Sequence, residues 1–185
     1  MTGLWQLPVQ KKLGMQTFDL HADYREILEI FSCLEDPDLP EALRWLVALE
    51  LFYEQPVPRQ SRQEAMEYLA FFLRGGVAEG KPGPKLLDWQ QDADAIIAGV
   101  NKAAGQEVRA LPFVHWWTFL SWFHGIGQGQ LSTLVSIRDK LRRGKKLEPW
   151  EKEFYRENRH RVELKKRCSR EELAQKQRLQ DLLGQ

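Results

Sequence analysis

Residues 112–126 read PFVHWWTFLSWFHGI, with three tryptophans and three phenylalanines in fifteen positions. Proline at the front suits a helix first turn, and Gly125 suits a helix stop. The stretch therefore predicts a helix over 112–125. Phe113, Trp116, Trp117, Leu120 and Phe123 fall along one broad face, and Phe119 and Trp122 widen it. Only His115, Thr118 and Ser121 form a polar stripe. A helix apolar nearly all round is a buried helix, so the expectation is a core element. A direct ligand or partner surface is the alternative. The set that decides between them is His115, Trp116, Trp117, Phe119 and Trp122. His115 and His124 lie nine residues apart, which at about 100° per residue sends them to opposite sides of one helix. They cannot share a metal there.

Helical spacing continues on both sides. Tyr24, Ile27, Leu28, Phe31 and Leu34 make one amphipathic helix, which Asp36-Pro37 ends. Leu43, Leu46, Val47, Leu49 and Phe52 make a second, with Asp38 as a cap and Pro40 in its first turn. Ser61 and Glu64 predict a capping box for a third over RQEAMEYLAFFLRG. Asp88 caps WQQDADAIIAGVNKAAG, where Trp89, Ala93, Ile96 and Val100 share a face and Gly105 is the stop. Leu134, Ile137 and Leu141 mark a helix closed by Gly144, and Pro149 opens a long charged helix through Arg167. Ser169 and Glu172 form another capping box before ELAQKQRLQDLL, either a partner-binding helix or a frayed end. Only the start departs from this period. LWQLPVQ and MQTFDL predict two short strands around a turn at Lys11–Gly14.

The fold class that follows is mainly α: a compact multi-helix domain with a short N-terminal β-hairpin and an extended basic C-terminal helical arm. The organisation is a hairpin over 1–19, a helical group over 20–75, a Gly/Pro linker over 76–86, a central group over 87–147 and a charged arm over 148–185. The linker VAEGKPGPK is a loop within one bundle or a joint between domains. The start MTGLWQLPVQKK lacks the pattern of a secretory leader, and no apolar run is long enough for a membrane span. Cys33 and Cys168 predict two free thiols rather than a disulfide framework.

The net charge of +1 hides an asymmetry. Residues 138–178 hold 16 Lys/Arg against 8 Asp/Glu, and the rest of the chain holds 11 against 18. The candidate basic set is Arg143, Lys145, Lys146, Arg159, Arg161, Lys165, Lys166 and Arg167. These side chains could meet phosphates. The aromatic-rich regions, however, do not share residues with the basic ones, as a stacking platform requires. Glu151, Glu153, Glu157 and Glu163 also punctuate the basic run, which suits a self-paired face or a protein-binding arm. A nucleic-acid-binding regulator remains the alternative function.

For catalysis the chain carries no HExxH, CxxC, GxGxxG or GxxxxGK[ST] pattern. Gly125-Ile-Gly-Gln-Gly has no lysine placed for a phosphate and reads as a turn. Asp88 and Asp92 are four apart but read as acids favouring a helix N-terminus. Asp19, His21 and Asp23 read as a cap with surface neighbours. The expectation is no catalytic residue, no cofactor and no metal.

Across these residues the chain resembles a known family. FDLHADYREIL (18–28), EALRWLVALELFYEQP (41–56), EAMEYLAFFLRGG (64–76), LLDWQQDADAIIAGVNKAAGQEV (86–108), LPFVHWWTFLSWFHGI (111–126) and LSTLVSIRDKLRRGKKL (131–147) are similar to successive parts of the Gp15-type proteins of tailed phages and prophages of Gram-positive bacteria. The His-Trp-Trp-x-Phe centre is the most specific of these. The resemblance implies a non-catalytic tail assembly chaperone of long-tailed phages. Such a protein binds the tape measure protein in the host cytoplasm, helps recruit the major tail protein, and is absent from the mature virion. Self-association is a further expectation, membrane contact is not, and no catalytic residues carry over.

Overall fold

The computed structural model describes residues 6–78, 80 and 83–183. The fold is mainly α, with a short N-terminal β-hairpin and helices at the C-terminal end. The chain forms two compact units, Met1–Val77 with Lys166–Gln185, and Ala78–Lys165. The boundary at residue 77 lies inside the Gly/Pro stretch, of which residues 79, 81 and 82 fall outside the described ones.

In the first unit, β1 (Gln10–Leu13) pairs antiparallel with β2 (Gln16–Asp19). The reversal is at Gly14-Met15, later than the predicted turn at Lys11–Gly14, because Gly14 supplies the positive φ (58°) that a two-residue hairpin turn needs. The predicted first strand began at Leu4, and its first two positions lie outside the described residues. Alternation puts Leu13 and Phe18 inward, 2 % and 1 % exposed. β2 runs on to bridge Leu20 with Tyr53, and the His21 amide donates to the Phe52 carbonyl at 2.9 Å. Three helices complete the core: α1 (Tyr24–Leu34), α2 (Glu41–Phe52) and α3 (Arg62–Leu73). Ile27, Ile30, Leu49, Phe52, Leu69 and Phe72 are its buried centre. Burial in this core pushes the Tyr53 hydroxyl well above the usual phenol range, and that hydroxyl bonds the Ala65 carbonyl at 3.2 Å.

Two predicted caps differ. Ser61 makes no side-chain cap for α3, because Arg59–Ser61 already winds as a 3-10 turn into the helix; Glu64 faces Lys11 at 3.7 Å instead. Pro40 takes the N-cap place of α2, and Asp38 turns to Arg170, accepting from its amide at 2.7 Å. The Ser169–Glu172 capping box is present at the start of α9 (Arg170–Leu183), with the Glu172 amide donating to Ser169 Oγ at 3.2 Å. The predicted apolar positions Leu179, Leu182 and Leu183 of this tail have side chains outside the described set.

The second unit contains α4 (Ala93–Ala104), α5 (Trp116–His124), α6 (Gln130–Arg142), α7 (Pro149–Glu157) and α8 (Arg159–Val162). α4 packs on α5 and α6 and ends at Gly105, whose φ of 70° is the left-handed stop expected of glycine. Within α4, Gly99 marks a close approach: a Cβ there would meet Cδ1 and Cγ2 of Ile126 at 2.8 Å. Cγ2 branches directly from the Ile126 Cβ, so a rotamer change does not clear the whole side chain. Gly99→Ala would gain up to about 1 kcal/mol from helix propensity. Overpacking costs about 1–3 kcal/mol, so the variant is expected to melt below wild type. A thermal melt checks this, and a raised Tm would contradict the tight α4–Ile126 packing.

The predicted long helix from Pro149 through Arg167 is broken. Helical geometry stops at Glu157, Asn158 has φ −115° and ψ 28°, and only the short α8 follows. After Val162 the backbone is extended at Glu163. The carbonyls that a continuous helix would use are taken by side chains from elsewhere in the same unit.

Candidate functional site

Those side chains are Arg138 and Gln91. Arg138 projects from α6 and is 6 % exposed. It lies four residues after Leu134, on the apolar stripe that buries α6. A buried guanidinium must find partners for its five donors. Its Nη1 and Nη2 donate to Asp92 Oδ2 and Oδ1 at 2.6 and 2.8 Å, a two-pronged pair. Its Nε donates to the Val162 carbonyl at 2.7 Å, Nη2 to the Arg161 carbonyl at 2.6 Å, and Nη1 to the Leu86 carbonyl at 2.9 Å. Asp92 Oδ2 also accepts from the Asp88 amide at 3.0 Å. Gln91 reinforces the same clamp. Its Nε2 donates to the Glu163 carbonyl at 2.9 Å, and its Oε1 accepts from the Lys165 amide at 2.9 Å. Residues 86–92, α6 and the segment 161–165 are thus tied through one buried polar centre.

Asp88 and Asp92 are expected from the sequence as acids favouring one helix N-terminus. Both are buried, at 7 % and 3 % exposed, and have separate tasks. Residues 89–92 form a turn before α4 rather than its first turn, and Asp88 Oδ1 accepts from the Gln90 and Gln91 amides at 3.0 and 2.9 Å. Asp92 belongs to Arg138.

A second clamp joins α6 to α7. Glu151 is 1 % exposed, and both its oxygens accept from Lys140 Nζ at 2.7 Å. Glu151 Oε2 also accepts from the Glu148 amide at 2.8 Å. The Lys140 ammonium and that amide hold the Glu151 carboxyl below its usual range. At Asp88 burial pushes upward, but the Gln91 and Gln90 amides and Lys85 outweigh it, so its carboxyl is also lowered. A carboxylate with a lowered folded pKa contributes stability that is present above the ordinary carboxylate range and lost as pH falls through the lowered value. Thermal stability is therefore expected to fall on acidification below that range. Glu151→Gln should flatten the fall, as read from melting curves against pH. An unchanged slope would exclude Glu151 as a contributor.

The Trp-rich stretch is part core and part surface. α5 begins at Trp116, four residues later than Pro112, because His115 is its N-cap. His115 is 3 % exposed, and its Nδ1 accepts from the Trp117 amide at 3.1 Å. A ring nitrogen that accepts this bond carries no proton, so His115 here is a neutral cap rather than a polar-stripe residue or an acid. Trp116 (0 %), Phe119 (1 %) and Leu120 (8 %) are buried. Trp116 stacks on Phe119, with centroids 5.7 Å apart, and meets Trp89 edge-on at 5.6 Å. Trp117 and Trp122 are half-buried, and Phe113 is exposed. His124 is exposed at the helix end, away from His115.

The basic set is divided among different partners and between the two units. Arg143 lies beside Asp139 at 2.9 Å, and Arg159 beside Glu163 at 2.7 Å. Glu163 also accepts from the Tyr155 hydroxyl at 2.6 Å. Arg161 contributes its carbonyl to Arg138. Lys145, Lys146 and Lys165 are exposed in the second unit. Lys166 and Arg167 belong to the first, where Arg167 meets Glu35 at 3.1 Å.

The described residues hold no cluster of three or more His, Cys, Asp or Glu that could bind a metal. No helix is long and apolar enough to cross a membrane among the described residues. Cys33 and Cys168 are free thiols. The signal for the buried centre that the sequence reading passed over was Arg138 itself, a cation at a stripe position.

A family model described as "Bacteriophage Gp15 protein" matches residues 6–164, which span the hairpin and every helix named above except α9. No curated protein and no solved structure matches the chain.

Proposed function

This chain belongs to the Bacteriophage Gp15 protein family, and from that premise we propose that it is a non-catalytic tail assembly chaperone. In the host cytoplasm it binds the tape measure protein, keeps that long helical client soluble and assists polymerisation of the tail tube around it. It leaves before the virion is complete. The observation that carries this reading is the family match over residues 6–164.

The disposition of charge supports it. The most buried ionic groups, Asp92, Arg138 and Glu151, are consumed by internal bonds that hold the second unit together. Exposed groups remain for adhesion: Phe113 at 53 %, Trp150 at 56 % and Leu141 at 39 % exposure, with lysines between the last two in sequence. Scattered apolar anchors within a charged surface suit reversible capture of an amphipathic client.

Co-expression with the tape measure protein of the same phage tests the proposal. The client is expected to move from the pellet to the soluble fraction when this chain is present. A client equally insoluble with and without it would overturn the reading. Deleting residues after Lys146 is the wrong variant for this purpose. It removes Glu151 and the Arg161 and Val162 carbonyls, to which Lys140 and the buried Arg138 donate.

A further inference from the structure

We propose that residues 166–183 are a reversible strap. Glu35 and Asp38, on the loop between α1 and α2, latch it by charge, and ionic strength sets whether α9 stays folded on that loop or is released. The strap lies beyond residues 6–164, which the family model matches, and its behaviour is independent of the chaperone reading.

The receiving loop has a fixed course. Arg44 of α2 donates from Nε to the Leu39 carbonyl at 2.7 Å and from Nη1 to the Leu34 carbonyl at 3.4 Å. Asp36 Oδ1 accepts from the Asp38 amide at 2.8 Å. Glu35 and Asp38 are carried on this frame, and both meet the strap. Glu35 Oε2 lies 3.1 Å from Arg167 Nη2, and Asp38 Oδ2 lies 3.4 Å from Arg170 Nε. Asp38 Oδ1 also accepts from the Arg170 amide at 2.7 Å. Arg170 is the first residue of α9. Asp38 therefore satisfies one of the amides that a helix start leaves without an intrahelical partner, and its charge suits the helix dipole. The Ser169–Glu172 box closes the same start from within the strap. Docking and helix initiation are thus coupled at Ser169-Arg170.

Apolar burial does not hold the described part of the helix. Arg167, Cys168 and Ser169 are half-buried, whereas residues 170–175, 177 and 178 are all exposed, Leu173 at 55 %. A 14-residue helix with those side chains in water is marginal by itself, because helices in proteins owe most of their stability to a packed apolar face. The polar contacts at its start then carry the weight, and they are open to ions. The side chains of Arg167 and Glu35 are 26 % and 34 % exposed, and those of Arg170 and Asp38 are 92 % and 36 % exposed. Ion pairs at such exposure are weak, and salt screens them. A strap held this way opens and closes, and charge sets the balance.

Hydrogen exchange on the full chain tests the strap, read by mass spectrometry in peptides covering α9, with α1 as the internal reference. At about 0.01 M salt the α9 amides of wild type are expected to be protected. At about 1 M salt the screening length has contracted from about 30 Å to about 3 Å. There the α9 amides should exchange about tenfold faster or more, with α1 unchanged. Glu35→Gln with Asp38→Ala should show the fast exchange already at low salt. Arg167→Glu alone should do the same, and the charge-exchanged pair Glu35→Arg with Arg167→Glu should restore protection. Protection of α9 that responds neither to salt nor to the Glu35 and Asp38 substitutions would overturn the latch. So would α9 amides that are unprotected in wild type at low salt. If the Glu35 and Asp38 substitutions also speed exchange in α1, the charge-exchanged pair decides. Recovery of α9 protection in that pair upholds the strap, and continued loss overturns it.

Discussion

Arg138→Ala is expected to destabilise the second unit by about 3–5 kcal/mol, the range for removing one member of a buried ion pair. The loss is more than a contact. Asp92 would be left buried with only the Asp88 amide bonded to it. The Leu86, Arg161 and Val162 carbonyls would also lose the donors they now share. An unsatisfied buried acceptor costs about 1–3 kcal/mol, so orphaned backbone groups contribute as much as the bare carboxylate. Arg138→Lys separates charge from geometry. It retains the cation but cannot fork onto Asp92 and reach three carbonyls together, so it should recover only part of the loss. Replacing both partners, as in Arg138→Met with Asp92→Leu, removes the stranded carboxylate yet still takes the Arg138 donors from the Leu86 and Val162 carbonyls, while the Arg161 carbonyl keeps Gln91 Nε2 at 3.3 Å. It should remain well below wild type. Chemical denaturation followed by tryptophan fluorescence measures all three, since five of the seven tryptophans lie within Ala78–Lys165. A double variant as stable as wild type would show that the carbonyls are satisfied without Arg138.

Trp116→Ala is the second large effect, at about 3–5 kcal/mol. Its ring is fully buried, stacked on Phe119 with an interplanar angle of 15° and set edge-on to Trp89. Truncation would leave a cavity lined by aromatic faces, which relax poorly because each also packs elsewhere: Trp89 lies 5.0 Å from Phe123 as well. Trp117→Ala, at a half-buried position one residue on, should cost markedly less. The comparison separates the two meanings of the aromatic run. A Trp116→Ala variant that melts like wild type would move this residue from core to interface.

How these elements could be foreseen differs by the range of the interaction. Local rules located the helices well. The period of Tyr24 and Ile27, the stop at Gly105 and the Ser169–Glu172 box depend on residues a few positions apart, and all are present. The central core reading of Trp116 and Phe119 also followed from local apolar density. The failures occurred where a distant partner competed with a local one. Ser61 and Glu64 had the right spacing for a box, but Lys11 from the hairpin drew Glu64 away. His115 read as a polar-stripe residue until the helix began one position after it, which made its ring the cap. The segment 158–165 had helical composition, yet Arg138 and Gln91 hold its carbonyls, and no window of neighbouring residues contains that information. The basic positions could be counted but not sorted. Arg143 and Arg159 face acids one helical turn away, while Lys145 and Lys146 do not.

We propose that this chain is a chaperone for a long helical client. The most direct test is capture of the tape measure protein by tagged full-length chain after co-expression, with light scattering on the eluted species. A soluble complex containing both proteins is expected, while the client expressed alone sediments. Full-length chain eluting without the client, with the client still in the pellet, would contradict it.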